Sequence, residues 1–429
     1  MMSRTRRCPS REGTVTVVVA VSMIAILSIV ALSLDGGMML DKRRQIQTAS
    51  DAAALAGTDD LYARWYTNTT SGLDNTSGTA QTAAQKATKA NGFENGVNGC
   101  VVTVNIPPLS GPFTGKTGHI EVIISYPQKR FFSRIFGTED VPIGARAVAR
   151  GLRTSIKQAI LVLDPTGSSA FNAGGNGNVT VTGSPIQVNS TSITAMIANG
   201  GGSSGAVIAD SFNVGGIPGW STTGGGLFTG PIVSNSPPIP DPLVNLPAPD
   251  PSTMITQRTN KLVKAGNSNI TLNPGVYIGG IAATGGNITL NPGIYYMQGG
   301  GFSVGGQASV SGTGVMIYNA PLSTSDKISI AGSGVVNLTA PTTGPYQGVL
   351  LFQDRTSTVQ MEVSGSGGSS MSGLFYAAAA NLKVTGNGGA DVLGSQYISY
   401  NLTLSGNGGY GVNWSPNTTP GKRALYLVE

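Results

Sequence analysis

The sequence predicts a chain of mixed class: an N-terminal transmembrane helix, a small α+β region, and then an all-β parallel β-helix (solenoid). Three observations predict it. The run from Thr14 to Leu34 carries no charge, the heptapeptide Asn-Ile-Thr-Leu-Asn-Pro-Gly occurs at Asn269 and again at Asn287, and Gly provides 62 of 429 residues although 40% are hydrophobic. A chain of this length exceeds one ordinary domain. Its many Val, Ile and Leu residues exclude a disordered protein.

The uncharged run has the length of a membrane span. At about 1.5 Å per residue it crosses a hydrocarbon core of roughly 30 Å. A cleaved signal peptide is the alternative, because Ala31-Leu-Ser33 resembles a cleavage site, but the apolar part of such a peptide is only about 7–15 residues long. The basic triplet Lys42-Arg43-Arg44 is typical of a stop-transfer flank. We therefore predict a cytoplasmic basic tail at residues 1–13 and a retained transmembrane helix at residues 14–34.

The net charge of +6 is concentrated around this run. Four arginines and the α-amino group precede the run and three basic residues follow it, so the positive-inside rule places the N-terminus in the cytoplasm. Residues 45–429 carry 19 basic and 17 acidic groups, which leaves no basic face for nucleic acid. The charge pattern predicts membrane lipid as a partner and no nucleic acid.

The chain has two cysteines, Cys8 and Cys100, and one histidine, His119. A zinc site needs about four such ligands, so the sequence predicts no zinc site within one chain. Cys100 has two interpretations, a buried small apolar residue or an intermolecular disulfide.

The segment that follows the run is rich in strong helix formers and has no Pro. Residues recurring at mostly three- or four-residue steps give it a narrow face of small side chains: Leu40, Ile46, Ala49, Ala53 and Ala56. Such a face packs closely on another helix, and the sequence leaves open whether it packs on its own domain or on a partner protein.

These N-terminal features together resemble the first segment of TadG-like proteins of the tight-adherence (Flp pilus) assembly system. The resemblance rests on the basic lead with Gly13, the apolar run, the Leu-Asp-Gly-Gly exit at residues 34–37, the basic and Gln-rich stretch at 43–47, and Ala-Ser-Asp-Ala-Ala-Ala-Leu-Ala-Gly at 49–57. It extends more weakly to about residue 150. The resemblance implies an extracytoplasmic α+β region at residues 35–153, with strands, a helix and a further strand.

One departure from pilin-like relatives affects processing. Processed pilins carry a Glu five residues into the mature apolar helix, whereas the residues around Val17 to Val19 are all apolar and Glu12 precedes Gly13. This favours an uncleaved anchor. The resemblance therefore implies a single-pass protein of the bacterial inner membrane, with most of the chain periplasmic or surface-exposed. Its implied role is structural, in pilus assembly or surface attachment, with pilus-assembly or envelope proteins as partners through the helix after the span.

The repeated heptapeptide predicts a parallel β-helix. Glycines continue at intervals of 16 to 21 residues after Gly275 and Gly293, each beside a short Val/Ile/Leu/Thr run. A parallel β-helix, in which three short strands form each coil, has such a period and places the two heptapeptides at equivalent corners. We predict early, irregular coils at residues 154–229, a Pro-rich loop or linker at 230–252, and regular coils at 253–429.

Asp164, Thr166 and Ser168 have the spacing of a known metal-site motif. Some TadG-like proteins carry a von Willebrand factor A domain whose metal site has this spacing, and the oxygen ligands suit Mg²⁺. The required helix is missing, because "NAGGNGNVTVTG" continues into Gly-rich strands. The sequence favours a strand end and turn, and we predict no metal, cofactor or catalytic residues.

The alternative function is binding or degradation of polysaccharide by a membrane-tethered β-helix. Glycoside chemistry needs paired carboxylates, but from Gly266 onward no two consecutive acidic residues are separated by one coil period of about 19 residues. These residues are Asp326, Asp354, Glu362, Asp391 and Glu429. Asp326-Lys327 and Asp354-Arg355 are interpreted as local charge pairs. We therefore predict that the chain is not an enzyme. Eight tyrosines would bind sugars if one solenoid face exposed them and would otherwise pack in or over the core: Tyr277, Tyr295, Tyr296, Tyr318, Tyr376, Tyr397, Tyr400 and Tyr410.

Overall fold

The computed structural model describes residues 12–63, 78–200, 205–387 and 391–429. The chain divides into two compact units. Residues 1–152 with residues 423–429 form one, called here the helix–sheet unit, and residues 153–422 form the other, called the solenoid.

In the residues that the structure describes, the helix–sheet unit has two helices and a four-stranded sheet. Its elements are α1 Glu12–Ala63, α2 Thr79–Ala90, β1 Val101–Asn105, β2 His119–Gln128, β3 Val141–Ser155 and the C-terminal strand Gly421–Leu427, with 3₁₀ turns at Gly111–Phe113 and Ser133–Phe136. Strand β2 pairs antiparallel with β1 and with β3, and the C-terminal strand lies beside β3. The prediction assigned residues 253–429 to the coils, but residues 423–429 belong to this sheet instead.

Helix α1 is continuous from the predicted span into the segment beyond it. Most of the small-residue face of that second half packs inside its own unit, where Ile46, Ala49 and Ala53 are fully buried, but Leu40 at its start is 62% exposed. They share a core with Ala80 and Ala84 of α2 and with Ile120, Val122 and Ile124 of β2. Cys100 is 2% exposed in the same core, as expected of a buried small apolar residue.

The solenoid confirms the predicted parallel β-helix, with about 11 turns. Its described residues form ten coils of up to three strands, one on each of faces A, B and C. The strands are β4 Ile160–Val162, β5 Phe171–Gly174 and β6 Val179–Thr182 in coil 1; β7 Ile186–Val188, β8 Met196–Gly200 and β9 Ala206–Ile208 in coil 2; β10 Phe212–Val214, β11 Trp220–Gly224 and β12 Leu227–Thr229 in coil 3, followed by β13 Ile232–Val233, which pairs with β10.

The remaining seven coils follow the Pro-rich stretch. They are β14 Thr256–Arg258, β15 Leu262–Lys264 and β16 Ile270–Leu272 in coil 4; β17 Gly275–Ile278, β18 Ile281–Ala283 and β19 Asn287–Leu290 in coil 5; β20 Gly293–Gln298, β21 Phe302–Val304 and β22 Ser309–Gly312 in coil 6; β23 Val315–Ala320, β24 Ile328–Ile330 and β25 Val336–Thr339 in coil 7; β26 Val349–Gln353, β27 Met361–Ser364 and β28 Ser370–Ser372 in coil 8; β29 Leu374–Gly386 and β30 Asp391–Leu393 in coil 9; β31 Gln396–Gly406 and β32 Tyr410–Asn413 in coil 10. Strands β29 and β31 each run along both face A and face B.

The coils do not stack in chain order. Coil 10 pairs in parallel with coil 1 on all three faces, with Tyr397 beside Ile160, Leu402 beside Phe171 and Tyr410 beside Val179. The order along the solenoid is therefore coils 4 to 10 followed by coils 1 to 3. Coil 3 and coil 4, which are neighbours in sequence, lie at opposite ends.

The repeated heptapeptide lies at equivalent positions of coils 4 and 5, as predicted. Ile270 pairs with Ile288 and Leu272 with Leu290. The amide of Asn287 donates to Asn269 Oδ1 at 3.1 Å, and that of Asn291 donates to Asn273 Oδ1 at 2.8 Å. Like side chains thus stack on one another from coil to coil.

The corner between faces B and C is lined by glycines whose backbones touch. A Cβ on Gly175 would lie 2.2 Å from the carbonyl oxygen of Gly406, and a Cβ on Gly406 would lie 2.0 Å from that of Gly386. This column continues across the contact between coils 10 and 1. The glycine series read from the sequence mixed two corners, because Gly275 and Gly293 lie at the start of face A, whereas Gly332, Gly386 and Gly406 lie between faces B and C.

The Pro-rich stretch connects the two ends of the solenoid and lies against it. Residues 234–255, called here the strap, contain seven prolines. Nine steps of about 4.8 Å separate coil 3 from coil 4, roughly 43 Å. At about 3.1 Å per extended residue, about 14 residues span that distance, so the 22 residues of the strap suffice even with the 3₁₀ turn at Pro251–Thr253. The sequence left a projecting loop and a linker open. The strap is a connection that is bonded to the outside of face A.

Candidate functional site

The first half of α1 presents an apolar surface on every side. Its large side chains from Val15 to Leu34 are between 47% and 68% exposed. In the part of the chain that the structure describes, this is the one helix long and apolar enough to cross a membrane. The hydroxyls of Ser22, Ser28 and Ser33 donate to the carbonyl oxygens four residues earlier, at 2.8 to 2.9 Å, so no polar group in these side chains needs water.

Contacts between α1 and the rest of the helix–sheet unit begin at Asp35, the residue after Leu34. Its Oδ1 accepts from the backbone N–H of Phe132 at 3.0 Å and its Oδ2 accepts from that of Ser133 at 2.6 Å. Two turns later the ammonium of Lys42 lies 5.5 Å from the ring centroid of Phe93 and 5.2 Å from that of Tyr126. These contacts fix the second half of α1 against the sheet.

A buried carboxylate lies at the opposite end of the same sheet. Glu121 on β2 has no exposed surface in its side chain and accepts from Arg146 Nε at 2.6 Å, from the amide of Asn105 at 2.7 Å, and from the hydroxyl of Ser110. Burial raises the pKa of Glu121, but these donors outweigh it, and the pKa falls to about 2. Arg146 also pairs with Glu429 at 2.6 Å. The cluster joins β2, β3 and the C-terminal residue.

The three residues considered for a metal site form a local turn. Asp164 Oδ1 accepts from the backbone N–H of Thr166 at 3.0 Å and from that of Gly167 at 2.8 Å. No helix follows, because β5 begins at Phe171. Among the described residues no cluster of three His, Cys, Asp or Glu side chains could hold a metal ion.

The carboxylates of the coils bind neighbouring backbone and side-chain groups. Asp326 accepts from the backbone N–H groups of Leu322 and Ser323, each at 2.9 Å, and Asp391 accepts from that of Ser369 at 2.9 Å. Asp326 and Lys327 do not form the local charge pair that the sequence suggested. Lys327 pairs across coils with Glu362 at 3.4 Å instead.

Asp354 and Arg355 attract each other electrostatically, but each also has hydrogen-bond partners elsewhere. Asp354 accepts from the Tyr318 hydroxyl at 2.8 Å and from its own turn at Thr356. Arg355 reaches the strap, where it donates to the carbonyl oxygens of Leu243, at 2.6 Å, and Leu246. Adjacent side chains of a strand end point to different surroundings, so sequence neighbours need not pair.

The tyrosines do not form an exposed ladder. Tyr277, Tyr295 and Tyr397 lie in the solenoid interior, and Tyr410 is also buried there. Tyr318 and Tyr376 are buried outside it, at 2% and 1% exposure, and Tyr400 is exposed at 38%. Tyr296 stacks on Tyr318 at 5.0 Å between ring centroids.

The outer surface of face A is an apolar column under the strap. Register places six successive residues of it in line: Tyr296, Tyr318, Phe352, Tyr376, Ile398 and Leu161. From Tyr318 to Leu161 none exceeds 2% exposure, although they point away from the interior core. The rings of Tyr318, Phe352 and Tyr376 meet at centroid distances of 5.1 and 5.0 Å.

The strap is bonded at successive coils along this column, in the order that its path requires. Coil 2 comes first, where Asn189 donates to and accepts from the backbone of Ile239 at 2.7 and 2.9 Å. Coil 9 follows, where the Tyr376 hydroxyl donates to Asp241 at 2.5 Å. The bonds from Arg355 to Leu243 and Leu246 lie in coil 8, and Leu243 and Leu246 are 2% and 4% exposed.

Sequence reasoning missed this column, although the sequence carries a signal for it. The middle strands of face A include continuous apolar runs, Val349–Phe352 and Leu374–Ala377, whereas strands of face B and face C alternate. A strand apolar at every position is buried on both of its faces. The runs therefore indicated a second covering layer.

Comparison with protein families gives one finding. Residues 13–63 match the family described as "Putative Flp pilus-assembly TadE/G-like". The match covers α1 from its second residue to its last. Comparison with curated proteins and with solved structures finds no match.

Proposed function

We propose that this chain, whose residues 13–63 form a TadE/G-like segment followed by a β-solenoid, is a structural component of the Flp pilus-assembly machinery, anchored in the bacterial inner membrane. The observation that carries the proposal is the coincidence of the family match with α1, which is apolar and exposed in its first half and packed on its own unit in its second. The N-terminus lies in the cytoplasm, and the helix–sheet unit and solenoid lie in the periplasm or at the cell surface.

The partners are other pilus-assembly or envelope proteins. The small-residue face of α1 is occupied by α2 and β2, so a partner meets the exposed side of the helix. That side carries Asp41, Arg43, Arg44 and Thr48. A photo-crosslinking residue is placed at Arg44 or, as the matched control, at the buried Ala49. Only the residue at position 44 is expected to crosslink the chain to a partner protein.

Protease protection tests the anchor and its orientation. In intact spheroplasts, added protease is expected to remove a tag at residue 429 and to leave a tag at residue 1. A mature chain beginning near Leu34, or a C-terminal tag digested only from the cytosolic side, would overturn the proposal. Deleting the chain from its bacterium is expected to abolish surface pili, and the full chain should restore them.

Polysaccharide binding is the second candidate, supported by one open cleft. A cavity of about 470 Å³ lies between residues 320–324 of coil 7 and residues 354–359 after β26. Its lining hydroxyls are Ser323, Thr324, Thr356, Ser357 and Thr358. A Thr324→Ala/Thr358→Ala variant should lose signal on a glycan array if the cleft binds sugar, whereas the exposed face-C variant Thr271→Ala should not. Absence of any signal from the unaltered chain would exclude this candidate.

A further inference from the structure

The loop between β2 and β3 exposes two adjacent phenylalanines. Phe131 is 70% exposed and Phe132 is 46% exposed, and their rings meet edge to face at 5.0 Å between centroids. Single exposed apolar residues are ordinary on protein surfaces, whereas apolar side chains that form a contiguous patch occur at interaction sites.

The position of this pair is fixed by Asp35, the first charged residue after the uncharged run of α1. Asp35 follows Leu34 and is 3% exposed. Its carboxylate binds the backbone N–H groups of Phe132 and Ser133. The two rings are therefore held at the level along the helix where a bilayer covering Thr14 to Leu34 would end.

Basic side chains flank the pair. Lys129 and Arg134 are exposed, and Arg130 donates its Nε to the carbonyl oxygen of Glu139 at 3.0 Å. The acidic Glu139 and Asp140 lie farther along the loop. Aromatic rings at headgroup level with Lys and Arg beside them are the side chains that proteins place at a membrane interface.

We infer that residues 129–134 form a membrane-docking loop. Phe131 and Phe132 insert into the headgroup and upper acyl region of the bilayer that α1 crosses, and Lys129 and Arg134 contact phospholipid phosphates. Lipid is the partner because the pair is held to α1 at Asp35, directly after the uncharged run that would cross the bilayer. The inference rests on the proposed anchor. It adds a second attachment point, which would hold the helix–sheet unit in one orientation about α1.

Quenching by brominated lipid tests the loop. The full chain is reconstituted in nanodiscs of phosphatidylcholine and phosphatidylglycerol, with or without bromine on the acyl chains. Three variants each add one tryptophan to the native three: Phe131→Trp, Ile24→Trp within the span, and Leu109→Trp. Leu109 is the matched control because it is 71% exposed and follows β1, whose Asn105 pairs with Glu121 at the far end of β2. Seven residues of strand, about 24 Å, separate Glu121 from Gln128.

Extra quenching relative to the unaltered chain is expected for Phe131→Trp and Ile24→Trp and not for Leu109→Trp. Quenching of Ile24→Trp alone would overturn the docking loop and leave the anchor intact. No quenching of Ile24→Trp would overturn the anchor and the loop together. Phe132→Trp provides a second reporter in case the first substitution disturbs the loop, and an unquenched signal from both reporters counts against docking.

Discussion

At the scale of single residues, Glu121 is a carboxylate that folding makes more acidic. Its donors Arg146, Asn105 and Ser110 bind well only to the ionised carboxylate. Protonation of Glu121 therefore costs more free energy in the folded state than in the unfolded chain. The pKa is about 2 in the folded protein, below the ordinary value of 4.5. The stabilisation is therefore present above about pH 4.5 and is lost as the pH falls towards 2.

Substitution of this carboxylate should reproduce the acid effect. Glu121→Gln is expected to lower the free energy of unfolding of the helix–sheet unit by about 3 kcal/mol at neutral pH, and the difference should shrink as the pH approaches 2. Hydrogen exchange of the β2 amides measures it locally. The control is Glu94→Gln, whose ion pair with Lys89 is exposed and should contribute less than about 1 kcal/mol. Equal effects from the two variants would contradict the argument.

A second prediction concerns the glycine corner between coils 10 and 1. Gly177 and Gly305 both lie between faces B and C, and neither has a positive φ. A Cβ on Gly177 would lie 2.2 Å from the carbonyl oxygen of Gly408, whereas a Cβ on Gly305 meets its nearest atom at 3.8 Å. Overpacking against backbone costs about 1–3 kcal/mol.

Gly177→Ala should therefore lower the thermal unfolding midpoint of the solenoid and Gly305→Ala should leave it nearly unchanged. The pair separates crowding from any general preference for Gly at this corner. If both substitutions were neutral, the close contact between Gly177 and Gly408, and with it the tight stacking of coil 1 on coil 10, would be in error.

At the scale of elements, the strap depends on Arg355. Its guanidinium bonds to the Leu243 and Leu246 carbonyl oxygens and to the Tyr376 hydroxyl at 2.9 Å. It also lies 5.5 Å from the ring centroid of Phe352 and 5.6 Å from that of Tyr376. One side chain thus ties the strap to the aromatic column beneath it.

Arg355→Ala is expected to detach the middle of the strap and to destabilise the solenoid by about 2–4 kcal/mol, because two carbonyl oxygens and the apolar column lose their cover. Thermolysin should then cut near Leu243 and Leu246 in the folded protein. Lys383→Ala, at an exposed position of face B, should leave both stability and cleavage unchanged. Resistance of the Arg355 variant to thermolysin would argue against the strap's attachment.

Elements were predictable from sequence where one local pattern decides them. The uncharged run and the helix formers after it specify α1, and the repeated heptapeptide specifies the stacking of coils 4 and 5. The contacts that each element makes were harder to predict. Which face of α1 is free depends on α2 and β2, and the contact between Asp35 and the loop at Phe132 joins residues nearly a hundred positions apart.

At the scale of the whole solenoid, the order of the coils could not be read from the sequence. The repeat period describes the shape of one coil, and every coil offers the same parallel edges to its neighbours. Three coils precede the strap and seven follow it, so stacking in either order satisfies the pattern. The strap's seven prolines and its length permit the long route, but they do not require it.

Engineered cysteine pairs distinguish the two orders. Outward side chains on face B form one column, in which Thr403 of coil 10 lies beside Asn172 of coil 1. Stacking in chain order would instead bring Ser221 of coil 3 beside Val263 of coil 4. In the observed order those two positions lie at opposite ends of the column, about 43 Å apart, well beyond the reach of a disulfide.

The pair Asn172→Cys/Thr403→Cys is therefore expected to form an intramolecular disulfide on mild oxidation, and Ser221→Cys/Val263→Cys is expected to remain reduced. Both are made with Cys8→Ser, and the buried Cys100 is kept. Mapping the crosslinked peptides by mass spectrometry separates intramolecular bonds from bonds between copies, which depend on concentration. An intramolecular bond in the second pair would establish sequential stacking. In that arrangement the strap would not connect opposite ends of the solenoid, because residue 256 of coil 4 would lie only one coil step from residue 233.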